Sequence, residues 1–291
     1  MDVALAIDIG GTKLAAGLVT ADGRIEERTS VPTPLGNDAE ALLAAVTTLI
    51  APYRGRGCRV CGVGCGGPMT RGGEAVSPLN IPAWRDFPLR PRLAAATGLD
   101  TFVDNDAKAL ALGEGWVGAA AGHRDFLAMV VSTGVGGGLV LDGRLLDGAD
   151  GNAGHIGHVI VVPDGAPCAC GARGCLEAEA AGPAIARLTG GEAAAAGPDV
   201  VARTGQLVGR AVASVANLLD LSLAVVAGSV ALGFGAPFFA AAQAELDASA
   251  RLAFSRGARI VPAGMGAAGP LVGAAAVGWR GLGRPILGAR R

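Results

Sequence analysis

Residues 3–23 read VALAIDIGGTKLAAGLVTADG, and residues 126–143 read FLAMVVSTGVGGGLVLDG. Each stretch is an apolar strand, a glycine-rich turn carrying hydroxyl residues, a second apolar strand and a closing D-G turn. That order predicts a β-hairpin extending into a meander. Two copies in one chain predict two related α/β domains, each supplying one glycine turn to a shared cleft. Helical patterns follow each copy. DAEALLAAVTTLI, residues 38–50, opens on a capping-type Asp38 and carries apolar residues at helical spacing. DAKALALGEGW starts a helix at Asp106, and TGQLVGRAVASVANLL predicts another from Thr204, with Thr204 as its N-cap. GGEAAAAG, residues 190–197, reads as a surface connection, and GAAAVGWRGL as the final helix before a GARR tail expected to be disordered.

With 291 residues the chain is long for one domain and comfortable for two. Hydrophobic residues make up 51% and charged residues 17%, which supplies a core and argues against disorder. A net charge of −1 leaves no basic stripe for nucleic acid, so no nucleic-acid partner is expected. The 48 glycines fall mostly in short clusters beside apolar runs, a distribution that predicts tight turns between strands. With one Tyr and three Trp, an aromatic platform for long polysaccharides is not expected. The segment between Asp2 and Asp8 is too short for the apolar core of a signal peptide, so none is expected. The uncharged run from Leu221 to Ala242 is long enough to span a bilayer. Its β-branched residues, two glycine turns and Pro237 instead predict a strand, a loop and the start of a helix, with no membrane partner.

The chemistry starts at DIGGT, residues 8–12. Backbone amides of a glycine turn can approach phosphate oxygens because no Cβ stands in the way, and Asp8 at the strand end is placed to hold a metal-bound water. Taken alone, this turn also fits an ordinary hairpin. It is not a Walker A loop, so Lys13 is expected to be solvated. The second turn, STGVGGG at 132–138, changes the balance, because two such turns in duplicated domains are similar to those with which actin-like kinases clamp the phosphates of ATP. In VDNDAKA, Asp106 follows an apolar strand and opens a helix. A carboxylate there can take the proton of an attacking hydroxyl, or simply cap the helix. His158 with Cys168, Cys170 and Cys175 makes a complete tetrahedral zinc set of one imidazole and three thiolates. Cys58, Cys61 and Cys65 lie across a strand with no histidine nearby and read as small core residues.

DIGGTK, VSTGVGGG, the Asn105–Asp106 pair, GGP, LNIPAW, His158 with CACGARGC, and GCLE together resemble the ROK family of the actin-like ATPase superfamily, from the seventh residue nearly to the end. The resemblance implies an α/β, two-domain, actin-like ATPase (ribonuclease H-like) fold with an interdomain cleft. An N-terminal domain would span 1–107, with the last helix, about 272–283, packing back on it. A C-terminal domain with a zinc loop would span 108–271. The implied activity is ATP-dependent phosphorylation, with Mg2+, of the 6-hydroxyl of a hexose such as glucose or an N-acylhexosamine such as N-acetylmannosamine. A cytoplasmic homo-oligomer, a dimer, goes with it. Position by position, Asp106 would be the base. Gly67, Asn80, Asn105, His155, His158 and Glu177 would hold the sugar. Asp8, Gly10, Gly11, Thr12, Thr133, Gly134, Gly136, Gly137 and Gly228 would hold ATP. His158, Cys168, Cys170 and Cys175 would bind a structural Zn2+, with His158 serving metal and sugar together. Asp104, outside the matched pair, stays structural.

Two positions depart from the family pattern. Family glucokinases read GExGH where this chain reads GHIGH, residues 154–158, a form shared with similar bacterial N-acetylmannosamine kinases. AGS at 227–229 replaces the common GGS and is expected to perturb the adenosine side mildly. A sugar-responsive ROK regulator is the alternative, but no DNA-binding module is expected ahead of Asp8. A sugar sensor without kinase activity is opposed by the intact Asn105–Asp106 pair. Polyphosphate is also compatible with glycine turns as a phosphoryl donor.

Overall fold

Both quoted stretches fold as antiparallel hairpins in the computed structural model, which describes residues 2–288. In chain order the elements begin β1 (Val3–Ile9), β2 (Lys13–Thr20), β3 (Ile25–Pro32), α1 (Ala39–Ile50), β4 (Val60–Cys65), α2 (Leu89–Thr97), β5 (Thr101–Asn105) and α3 (Asp106–Val117). The second copy opens β6 (Phe126–Val131), β7 (Val135–Leu141) and β8 (Arg144–Leu145), followed by α4 (Leu176–Ala180), α5 (Gly182–Thr189) and α6 (Pro198–Leu219). The chain ends through β9 (Leu223–Ala227), α7 (Ser229–Phe234), α8 (Ala236–Ser249), β10 (Arg259–Pro262) and α9 (Gly269–Gly281).

The strands form two sheets of the same topology. The first runs β3-β2-β1-β4-β5 and the second β8-β7-β6-β9-β10. In each, the hairpin's first strand sits at the centre, with a meander on one side and two parallel strands on the other. The internal repeat of sequence is thus a repeat of topology.

The chain divides into two compact units, residues 2–122, 145–153 and 265–288 in one, His123–Arg144 and Gly154–Gly264 in the other. The sequence places everything from 108 to 271 in a second domain; in the structure α3 and the segment 145–153 belong to the first unit. The reason is packing. α3 lies along α9, which itself covers β1, β4 and β5. Small residues make that possible. A Cβ on Gly273 would come 2.7 Å from the Ala109 carbonyl carbon, and one on Gly62 of β4 would come 2.7 Å from the Gly278 nitrogen. Both distances are shorter than any real Cβ contact, so backbone meets backbone at these crossings. Part of the glycine surplus therefore serves helix–sheet and helix–helix packing rather than turns.

The first core gathers Leu5, Ile7, Val46, Val63, Trp84 and Leu93, with Cys61 and Cys65 fully buried in it and Cys58 at its edge. The second gathers Leu127, Met129, Leu176, Val208, Val226 and Phe238. The run 221–242 resolves into β9, α7 and the start of α8, and no helix among the described residues is long and apolar enough to cross a membrane. Thr204 is not an N-cap. The helix starts six residues earlier, at Pro198 behind Gly197, where a proline suits the first helical position. Thr204 lies buried inside it, its hydroxyl donating to the Val200 carbonyl at 2.7 Å. Of the expected GARR tail, residues 289–291 lie outside the described residues.

Candidate functional site

Three parallel strands of the first unit end together. The register pairs Asp8 of β1 with Gly64 of β4, and Gly64 with Asp104 of β5, so Asp8, the Gly66–Gly67 turn and the Asn105–Asp106 pair emerge at one carboxyl-terminal edge. That edge is where open α/β sheets bind ligands. Gly64 has no side chain to separate the acids; a Cβ there would lie 3.7 Å from Asp8 Oδ1 and 3.7 Å from Asp106 Cα.

The first glycine turn is closed by Gly10 N–H donating to Lys13 O at 3.0 Å. Thr33 braces it from outside, its hydroxyl donating to Gly10 O at 2.7 Å and its amide to Thr12 O at 3.1 Å. Asn80 lies against this turn, since a Cβ on Gly11 would come 2.7 Å from Asn80 O, and one on Gly66 2.9 Å from Asn80 Oδ1. Leu79 N–H donates to Gly67 O at 3.1 Å, fixing one loop on the other. Arg85 ties the Asn80 loop to itself, its guanidinium donating to the carbonyls of Pro78, Ile81 and Trp84 at 2.9, 3.1 and 2.6 Å.

Asn105 is the N-cap of α3, its Oδ1 accepting from Ala107 N–H at 3.0 Å. The capping role open to Asp106 in the sequence therefore falls to its neighbour, and Asp106 is the first helical residue. A carboxylate there is favoured by the helix dipole.

In the second unit the turn proper is Ser132–Gly134, closed by Ser132 N–H donating to Gly134 O at 2.9 Å, with Thr133 exposed at its tip. Gly136 and Gly137 lie on β7, opposite Val130 and Met129. Gly137 makes room for the GHIGH segment; a Cβ there would come 3.0 Å from Ile156 Cγ2. Glu177 Oε2 accepts from Val135 N–H at 2.8 Å, so this carboxylate braces the turn. Ser132 and Ser229 share a hydroxyl hydrogen bond of 2.9 Å, joining the turn to the start of α7. Gly228, at φ +102°, caps that helix in a conformation that suits glycine, and a Cβ would come 2.6 Å from the Val131 carbonyl carbon.

His158, Cys168, Cys170 and Cys175 bring one ligand atom each within 4.8 Å of one another, a group able to hold a metal ion. His158 turns Nδ1 to the cluster, 3.7 Å from Cys168 Sγ, and the Cys170 and Cys175 sulfurs are 3.7 Å apart. The His155 and His158 rings lie 6.0 Å apart. The predicted residues thus fall into one set on each unit: Asp8, Gly10, Gly11, Thr12, Gly67, Asn80, Asn105 and Asp106 on the first, the rest on the second. Thr33, Arg85 and Lys108 escape a sequence reading, because each acts on residues a loop or an element away.

Burial of the Asp8 carboxyl, and then the charge of Asp106, push its pKa from 3.8 to about 7, with Lys13 pulling the other way. The folded state therefore holds this proton longer than the unfolded chain. Asp8 ionisation costs stability as pH rises from about 4 to about 7. In magnesium-free buffer Asp8→Asn should raise Tm clearly at pH 8 and little at pH 4.5. Equal shifts at both pH values would contradict this.

The ROK family model matches residues 4–279. The chain is 42% identical over 248 residues to the N-acetylmannosamine kinase of Citrobacter koseri, covering 79% of this chain and 84% of that protein. Among solved structures, a ROK family glucokinase from Streptomyces griseus in complex with glucose and AMPPNP matches with a TM-score of 0.84 at 30% identity, over 96% of this chain and 99% of that one. The ROK hexokinase from Thermus thermophilus matches with a TM-score of 0.78 at 33% identity, over 97% and 99%. With its duplicated sheets, its two glycine turns and this near-complete match, the chain belongs to the ROK family.

Proposed function

We propose that this chain is an ATP-dependent sugar kinase, moving the γ-phosphoryl group of Mg-ATP to the 6-hydroxyl of a hexose-type sugar, with N-acylhexosamines among its substrates. The observation that carries the reading is the strand edge of the first unit, where Asp106 opens α3 beside Asp8, close to the Gly11–Asn80 contact. Asp106 takes the proton of the attacking hydroxyl, while Asn105, Asn80 and the Gly67 turn orient the sugar. The glycine turns at Gly10–Thr12 and Thr133–Gly134, with Gly228, hold the nucleotide. Asp8 would hold water of a magnesium ion, which when bound would supply positive charge toward the phosphate oxygens. Catalysis is then mostly positioning and charge stabilisation, as is general for phosphoryl transfer. The Asn105–Asp106 pair and the relative named an N-acetylmannosamine kinase favour an enzyme over a ROK regulator or an inactive sensor. Use of ATP and six free cysteines suit the cytoplasm.

The sugar follows from His155. A carboxylate at this place would accept from two hydroxyls of an unmodified hexose. A neutral imidazole has one donor and one acceptor, and can donate to an amide carbonyl. The name of the Citrobacter koseri relative points to the same sugar class. Zinc is the metal the cluster fits. Tetrahedral coordination at about 2.3 Å places thiolate sulfurs about 3.8 Å apart, against 3.7 Å for Cys170 and Cys175. The ion would brace the loop leading to Glu177, and His158 would keep Nε2 for the sugar.

Asp106→Asn should fold, keep sugar affinity and lose turnover by a factor of about 100 or more. Near-wild-type turnover in the folded variant would overturn the base assignment. For kcat/KM over glucose, mannose, N-acetylglucosamine and N-acetylmannosamine, the wild type should accept N-acetylmannosamine and His155→Glu should shift preference toward glucose. A strong wild-type preference for glucose that His155→Glu leaves unchanged would remove His155 as the selector. Elemental analysis should find one zinc per chain, and chelation should lower Tm. Fully active, metal-free protein would contradict that.

A further inference from the structure

Behind the proposed base lies a group of charges that the reaction itself does not use. Lys108, on α3, is almost fully buried, with 3% of its side chain exposed. Its Nζ lies 3.0 Å from Asp104 Oδ1, 2.8 Å from Asp147 Oδ1 and 3.1 Å from Gly151 O. Arg280 of α9 closes the ring, 3.1 Å from Asp147 Oδ2 and 3.6 Å from Asp104 Oδ2. Two acids meet two bases, so the group is neutral as a whole.

Its place in the chain is telling. Asp104 and Lys108 stand on either side of the Asn105–Asp106 pair, and Asp104 Oδ1 also accepts from Asn105 N–H at 2.8 Å. The other acid, Asp147, comes from the segment Leu145–Ala153. That segment has a second anchor. Asn152 accepts from Met69 N–H at 3.2 Å and donates to Met69 O at 3.1 Å, two residues beyond Gly67. Residues 145–153 therefore join the first turn of α3 to the proposed sugar loop, all within one unit. Buried ion groups are poor devices for stability, since apolar residues of similar size serve as well or better. What such a ring supplies is a fixed direction for each polar group it holds.

We propose that Lys108 is a positioning residue: clamped by Asp104 and Asp147, it fixes the first turn of α3 and so the aim of Asn105 and Asp106, with residues 145–153 as a strap tying that turn to the sugar loop. The inference rests on the reading of Asp106 as the base. Asp147→Asn loosens the clamp while Asp104 still pairs with the buried Lys108, so no buried charge is left without a partner. Lys108→Met is the more severe second variant.

In Asp147→Asn, kcat should fall about tenfold, because a small misplacement of a reacting group can cost that much or more, while the sugar Kd weakens by a smaller factor, since Asn105 shares the loosened turn. The loss should vanish in an Asp106→Asn background, where there is no base left to aim, because residues that act as a unit are not additive. Amide exchange of residues 105–109 should speed up in the variant, with the rest of the sheet unchanged. Unchanged kcat in Asp147→Asn and in folded Lys108→Met, or the same fold loss in the Asp106→Asn background, would overturn the proposal. If Asp106→Asn alone keeps wild-type turnover, the base reading falls instead. Amide exchange then decides on the clamp, with faster exchange at 105–109 supporting it and unchanged exchange overturning it.

Discussion

The structure depends on the parallel register of β1, β4 and β5. Three strands that stop within a residue of each other place three loops side by side, and each loop carries a different chemical group: the carboxylate of Asp8, the backbone of Gly66 and Gly67, and the Asn105–Asp106 pair. The register is held by packing on both faces, since a slip of one residue would turn Leu5, Ile7 and Val63 toward α9, where only small residues such as Ala6 and Gly62 fit. It also needs β4 to be narrow. Gly62 lets α9 touch the sheet, and Gly64 lets the acids of neighbouring strands share one edge.

Bringing acids together has an electrostatic consequence. Asp8 is buried and faces the charge of Asp106, and burial first and that charge second hold its pKa up. Asp104, one residue before the pair, is handled differently. It too is pushed up by burial, but Lys108 and Arg280 oppose the shift and complete its charge. The charge of Asp104 is thus completed by the protein, whereas burial leaves Asp8 holding its proton to higher pH. In the second unit glycines and one carboxylate shape the turn. Gly137, Gly154 and Gly157 clear space so that the GHIGH segment can lie on β7, and Glu177 closes the turn through Val135.

Much of this was legible in the sequence, because the informative features are local. A strand, a glycine turn and a second strand are written within twenty residues, and so is the Cys168–Cys175 part of the metal cluster. The repeat of those signals carried the duplicated α/β fold. The unit boundary was harder to read. α3 follows β5 directly, yet its partner α9 lies near the far end of the chain, and the small residues that join them look like ordinary helix alanines and glycines. Thr204 misled because a threonine ahead of an apolar run looks like a cap, while Gly197–Pro198 was hidden in a low-complexity stretch. Lys108 carries no signal in the sequence, because Asp147 and Arg280 meet at its site only through the tertiary fold.

The central claim is that the strand edge of the first unit directs phosphoryl transfer to one hydroxyl of a sugar. It is tested most directly by phosphorus and carbon NMR of the product formed from ATP and N-acetylmannosamine, with the 6-deoxy sugar as control. The account predicts a phosphate ester coupled to carbon 6 and no ester from the 6-deoxy sugar. A phosphate on another carbon, or ATP left intact beside every hexose and N-acylhexosamine tried, would contradict it.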